Sequence, residues 1–105
     1  MFCFQGQRIA LFPDTVSIRA QRHLRELTAI ARKGTARASV VFLVQRGDCS
    51  AFAPCWEKDP TYASLLMTAV ADGVTAVAIA CELDVESERV IFKDNLPVKL
   101  DYKAR

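Results

Sequence analysis

The 105-residue sequence predicts an α/β fold: a mixed, largely parallel sheet with flanking helices. Three observations carry this. Two apolar runs, Ala38 to Val44 and Val74 to Cys81, lack alternation, as strands buried on both faces do. Each run is preceded by a segment with helical spacing and helix-stop chemistry. The resulting order is strand, helix, strand, helix, strand, strand. Strand–helix–strand units demand crossovers and hence parallel pairing, and the closing pair adds an antiparallel edge.

Arg8-Ile-Ala-Leu-Phe12 reads as a short strand stopped by Pro13-Asp14. A long helix follows from Ser17 to Lys33, capped by Thr15 or Ser17 and stopped by Gly34. Its apolar stripe is Ala20, Leu24, Leu27 and Ala31, widened by Ile30. Ser39 to Gln45 reads as the central parallel strand. A loop with Gly47, Cys49, Pro54 and Cys55 comes next. Asp59-Pro60 opens a second helix, with Asp as cap and Pro at the first position, and it runs to Asp72. Tyr62, Leu65, Leu66 and Ala69 form its core stripe, while Ala63, Met67 and Val70 make it apolar most of the way round. Val74 to Cys81 is the next strand. A polar turn through Asp84 to Ser87 leads to a strand at Arg89 to Phe92. Leu96 to Leu100 reads as an edge segment because Pro97 cannot donate to a ladder. Residues 101–105 are expected to fray.

Composition is that of a globular domain, with 51% hydrophobic and 25% charged residues. Neither apolar run approaches the ~20 residues needed to span a bilayer, so no membrane partner is expected. Met1 to Arg8 has no basic segment followed by an apolar one, so no signal peptide is expected. Four cysteines without a C-x-x-C pair suit free thiols in the cytoplasm or another reducing compartment. A Cys49–Cys55 bridge or a metal site is the alternative, although a single histidine supports zinc poorly.

Charge is unevenly distributed. Residues 8–46 hold eight basic and two acidic side chains, a net of +6. Residues 47–105 hold six basic and ten acidic, a net of −4. The basic half concentrates on the first helix. At 100° per residue, Arg19, Arg22, Glu26 and Lys33 share one flank of the apolar stripe, and Arg25 and Arg32 lie on the other. His23 sits at the stripe's edge, either as a half-buried hydrogen-bonded histidine or as part of a site. Basic side chains one turn apart suit a nucleic-acid backbone. The plain alternative is a solvated helix with an Arg22–Glu26 pair worth a few tenths of a kcal/mol. Arg46 stands at the C-terminal end of the central strand, where open α/β sheets bind ligands. Trp56 and Phe52 either stack on a base or close over the core. No Gly-rich phosphate loop or G-x-S-x-G elbow is present. Asp14 and Asp101 do not make a metal pair, because Asp101 falls in the tail.

Residues 12–27, Phe-Pro-Asp-Thr-Val-Ser-Ile-Arg-Ala-Gln-Arg-His-Leu-Arg-Glu-Leu, closely resemble the F-P-D-A-V-T-x-R-G-x-x-H-L-x-E-L signature of the sugar fermentation stimulation protein A (SfsA) family. The likeness continues through Val41 to Arg46, Phe52-Ala53-Pro54, Asp59 to Ala63, Gly73-Val74 and Leu96 to Leu100. Thr15 replaces the usual Ala, Ala20 replaces the usual Gly, and residues 35–38 form a short insertion. The resemblance implies DNA binding, a role in regulating sugar utilisation, and a domain similar to PD-(D/E)xK nucleases. In that fold a metal carboxylate and an E-V-K strand precede F-P-D. Nothing acidic stands upstream of Asp14, so the chain reads as a single truncated C-terminal domain over 1–105 without the metal-binding strand. No catalytic residue and no cofactor are expected, with Mg²⁺ relevant only if a preceding part supplies carboxylates. The expected function is sequence-tolerant binding of the DNA backbone by Arg19, Arg22, His23, Arg25 and Arg46. The alternatives are a remnant of a Mg²⁺-dependent nuclease and a non-catalytic interaction domain. Self-association is expected through an exposed sheet edge or the second helix.

Overall fold

A computed structural model describes residues 2–4 and 8–102. The elements are β1 (Phe2–Phe4), β2 (Ile9–Phe12), α1 (Ile18–Lys33), β3 (Ser39–Val44), β4 (Ala51–Pro54), α2 (Pro60–Ala71), β5 (Thr75–Asp84) and β6 (Arg89–Leu96). The strands form two three-stranded sheets rather than one. In the first, β1 pairs antiparallel with β2, and β2 pairs parallel with β4, Leu11 opposite Ala53. In the second, β3 pairs parallel with β5, Phe42 opposite Ala78, and β5 pairs antiparallel with β6. Each sheet therefore has one parallel and one antiparallel pair, and the expectation of a largely parallel sheet is half right. Among the described residues, no helix is long and apolar enough to cross a membrane.

The difference traces to β4, which lies within the segment expected to be a loop. Ala51-Phe52-Ala53-Pro54 is short, rich in alanine and ended by proline, so it carries little strand signal. Yet all four residues are buried. β4 is paired on both sides, because Phe52 N–H donates to Pro97 O at 2.9 Å and Lys99 N–H donates to Phe52 O at 2.8 Å. The segment after Leu96 thus carries the chain from the second sheet to the first.

The main core joins both sheets and both helices through Ala10, Leu24, Phe42, Phe52, Tyr62, Leu66 and Ala78. Phe42 and Phe52 stack across the sheets with ring centroids 4.2 Å apart. Phe52 is fully buried, which removes it as a base-stacking surface. The opposite faces of β2 and β4 bury Ile9, Leu11, Ala51 and Ala53 in a second cluster with Cys55 and Tyr102. Tyr102 is therefore packed rather than frayed, and residues 103–105 lie outside the described residues. Trp56 is half-buried and donates from Nε1 to Leu100 O at 2.8 Å.

The strands buried on both faces are β2 and β4, not the expected Ser39 to Gln45. β3 is an edge strand, with Val41 and Leu43 52% and 56% exposed. Its unbroken apolar sequence is the signature of a doubly covered strand, but among the described residues only one face is covered. β6 runs on to Leu96, four residues beyond expectation, and only Leu96 of it is buried. Cys49, Cys55 and Cys81 are buried thiols, so Cys49 and Cys55 are not bridged to one another. Cys3 is described in backbone only.

Candidate nucleic-acid interface

α1 starts at Ser17, whose Oγ accepts from Ala20 N–H at 3.2 Å. It ends at Gly34, held at φ 71°, where the cap N–H donates to Ala31 O. The expected stripe of Ala20, Leu24, Leu27 and Ala31 packs against the core, and two polar residues, Gln21 and Thr28, are buried beside Leu24; Thr28 satisfies its hydroxyl on Leu24 O at 2.9 Å. Ile30 is 40% exposed, so it lies off the packed stripe it was expected to widen. Gln21 also faces inward, where the Asp59 carboxylate accepts from its amide.

Asp59 is 1% exposed and serves both helices. It caps α2 by accepting from Tyr62 N–H at 2.9 Å. It accepts from Ser17 N–H, just ahead of α1, at 3.2 Å, and from Gln21 Nε2 at 3.1 Å to each oxygen. Burial alone would push this carboxyl up. The donors from Tyr62, Gln21, Ser17 and Thr61 outweigh it and hold the carboxyl below its usual range. The carboxylate also faces the positive ends of both helix dipoles. Burial, and after it the charge of Asp59, pushes the Tyr62 hydroxyl well above its usual range.

This clamp fixes the first turns of α1, from which the basic residues project. Arg19, Arg22 and His23, with Ser17, Ala20 and Glu26, line an open concavity of about 470 Å³. Arg19, Arg22, His23 and Arg25 are all exposed. His23 is therefore not the half-buried, hydrogen-bonded residue that one reading of the sequence offered. The Arg22–Glu26 pair does not form: the ion pairs among the described residues are Arg32–Asp72, Arg46–Asp48 and Lys93–Glu82. Both side chains are solvated, so little is gained by pairing them. The guanidinium groups of Arg19 and Arg22 consequently keep their charge available.

Arg25 and Arg46 stand apart from this concavity. Arg25 is exposed but does not line it. Arg46 lies beyond β3 and grips Asp48, Nε to Oδ1 at 2.9 Å and Nη2 to Oδ2 at 2.6 Å. That hydrogen bonding holds the Asp48 carboxyl below its usual range. Arg8 Nε donates to Asp48 O at 2.9 Å, which brings a second guanidinium to the same loop.

One feature of the site has no sequence signature. Between α1 and β3 runs an apolar groove of about 380 Å³, walled by Ala20 and His23 on the helix and by Val41 and Leu43 on the strand, with Phe12 and Tyr62 at its base. Ala20 and His23 also line the basic concavity, so the two share a border. The groove exists because β3 is an edge strand, which a run of apolar residues does not announce.

A family model described as the sugar fermentation stimulation protein RE domain matches residues 2–87. The sugar fermentation stimulation protein homolog of Synechococcus elongatus is 46% identical over 93 residues, covering 89% of this chain and 38% of the relative. That of Geobacter metallireducens is 45% identical over 96 residues, covering 91% and 40%. The chain thus spans about two fifths of the length of these relatives. A solved structure of Pyrococcus furiosus SfsA in complex with Ca²⁺ superposes with a TM-score of 0.83 at 34% identity, over 92% of this chain and 41% of that one. The resemblance read from Phe12 to Leu27 therefore extends to sequence and backbone alike, and the chain belongs to the sugar fermentation stimulation protein (SfsA) family.

Proposed function

We propose that this chain binds the phosphate backbone of DNA with little sequence preference, through the exposed flank of α1. The observation that carries the proposal is the pair Arg19 and Arg22, exposed around one concavity with His23 and engaged in no ion pair among the described residues. Lys or Arg charges at one-turn spacing displace counterions from phosphates, which needs charge and access rather than a shaped pocket. Arg25 adds charge from the neighbouring face. Arg46 contributes less, because a phosphate must compete with Asp48 for its guanidinium. In the longer proteins of the family we take this region to be part of the C-terminal domain, contributing DNA binding to the regulation of sugar utilisation. The Pyrococcus relative is described with Ca²⁺, but among the described residues here no three His, Cys, Asp or Glu side chains converge. No metal-dependent step is assigned to these residues.

The test is the salt dependence of binding to short duplexes. Affinity on the order of 10⁻⁴ to 10⁻⁶ M at physiological salt is expected, alike for unrelated sequences. Arg19→Ala with Arg22→Ala should weaken all of them equally and flatten the plot of log K against log salt by up to about two. Lys99→Ala with Lys103→Ala removes the same charge from the acidic half and should change little. Equal losses in the two double variants would show bulk electrostatics rather than a site.

A further inference from the structure

We infer that the groove between α1 and β3 receives an unpaired nucleobase whose flanking phosphates lie on Arg19 and Arg22. This deepens the proposed DNA binding and rests on it. The two halves of the site differ in chemistry and share a border. The apolar half, about 380 Å³, is in the size range of ligand sites and is walled by aliphatic Val41 and Leu43. The cationic half, about 470 Å³, carries Arg19 and Arg22. A nucleotide has the same division, an apolar-faced ring joined to an anion.

Residues at the border and base suit this occupant. His23 lines both halves and is exposed, so its imidazole offers a face for stacking between base and phosphate. Tyr62 lines the groove while only 3% exposed, which places it at the floor. Its hydroxyl has no hydrogen-bond partner among the described residues, yet it is not sealed from solvent. It is therefore a polar group at the bottom of an apolar slot, available to a base edge. Burial and the nearby Asp59 carboxylate keep it protonated, so it can donate. A paired base inside a duplex cannot enter such a slot. The inference thus separates single strands and frayed or flipped bases from intact duplex as the preferred form.

The experiment compares two probes on the 105-residue chain by fluorescence anisotropy: a labelled oligothymidylate, and an oligomer of equal length and charge whose sugars carry no bases. The thymidylate is expected to bind at least about fivefold more tightly, the lower range for one stacked base. Val41→Thr with Leu43→Thr keeps charge and strand propensity at two exposed positions, and should bring that ratio to about one while leaving the abasic affinity unchanged. Equal binding of the two probes by the unaltered chain would overturn the groove assignment and leave the phosphate reading standing. Retention of the full ratio by the double variant would also overturn it, because the base would then be held elsewhere. Binding of neither probe would remove the DNA reading itself, and the groove assignment with it.

Discussion

Replacing Asp59 tests the physical link between fold and site. Asp59→Ala removes the acceptor for Ser17 N–H, Tyr62 N–H and Gln21 Nε2. Gln21 is 5% exposed, so its amide loses a partner where water does not readily replace it. An N-cap alone is worth about 1 kcal/mol, and each buried donor left unsatisfied adds about 1–3 kcal/mol. The loss should be about 3–5 kcal/mol, a large part of the roughly 5–15 kcal/mol that holds a domain of this size. Urea denaturation followed by far-ultraviolet circular dichroism measures it. A loss under about 1 kcal/mol would show that the two helix starts are held by apolar packing and that the carboxylate is incidental.

Asp59→Asn separates charge from hydrogen bonding. The amide oxygen can still cap Tyr62 N–H, and Gln21 can turn its own oxygen toward the new NH₂, so about 1–2 kcal/mol should be lost at neutral pH. The wild-type carboxyl is held below its usual range, so its stabilisation is present above the unfolded-state value, about 3.9, and is lost as pH falls through the lower folded-state value. The gap between wild type and Asp59→Asn should therefore be constant from neutral pH down to about 5 and shrink below about 4. A gap unchanged at acid pH would mean that the ionised form of Asp59 contributes nothing.

Other perturbations probe single features. Gly34→Ala should cost about 1–2 kcal/mol by thermal denaturation, because a Cβ meets nothing within 4 Å and only the left-handed backbone is penalised; no change would mean that the cap relaxes freely. Self-association should proceed through β3, whose outer edge is unpaired among the described residues and which exposes Val41 and Leu43; Leu43→Lys should shift light-scattering mass toward monomer as concentration rises, and an unaffected dimer would place the contact elsewhere. α2 is a poorer candidate than its sequence suggests, since Tyr62, Ala63, Leu66 and Ala69 are spent on the core.

The helices were legible because their ends carry chemistry. Ser17, Gly34 and the Asp59-Pro60 pair mark boundaries that agree with the structure to within a residue. Strand partners were not legible in the same way. β4 is four residues of small side chains whose only distinction is complete burial, and burial is decided by β2 and by residues 97–99, far apart in the chain. Reading residues 51–54 as loop removed a parallel pair from one sheet and merged the remaining strands into one. Whether β3 is covered on both faces also depends on what lies beside it, and nothing within Ser39–Val44 records that.

The site divides along the same line. The positions of Arg19, Arg22 and His23 on one flank follow from helix periodicity and needed no tertiary information. What periodicity could not supply was the other wall. Val41 and Leu43 read as core in sequence, yet their exposure makes the groove, and the groove turns a charged helix surface into one with a second, apolar function. The same holds for Asp59. As a helix cap it is local and readable, but its reach to Ser17 and Gln21 joins residues 38 to 42 positions away and sets where the arginines stand. A change at Asp59 should therefore weaken DNA binding without touching any basic side chain, through loss of the fixed spacing at the start of α1.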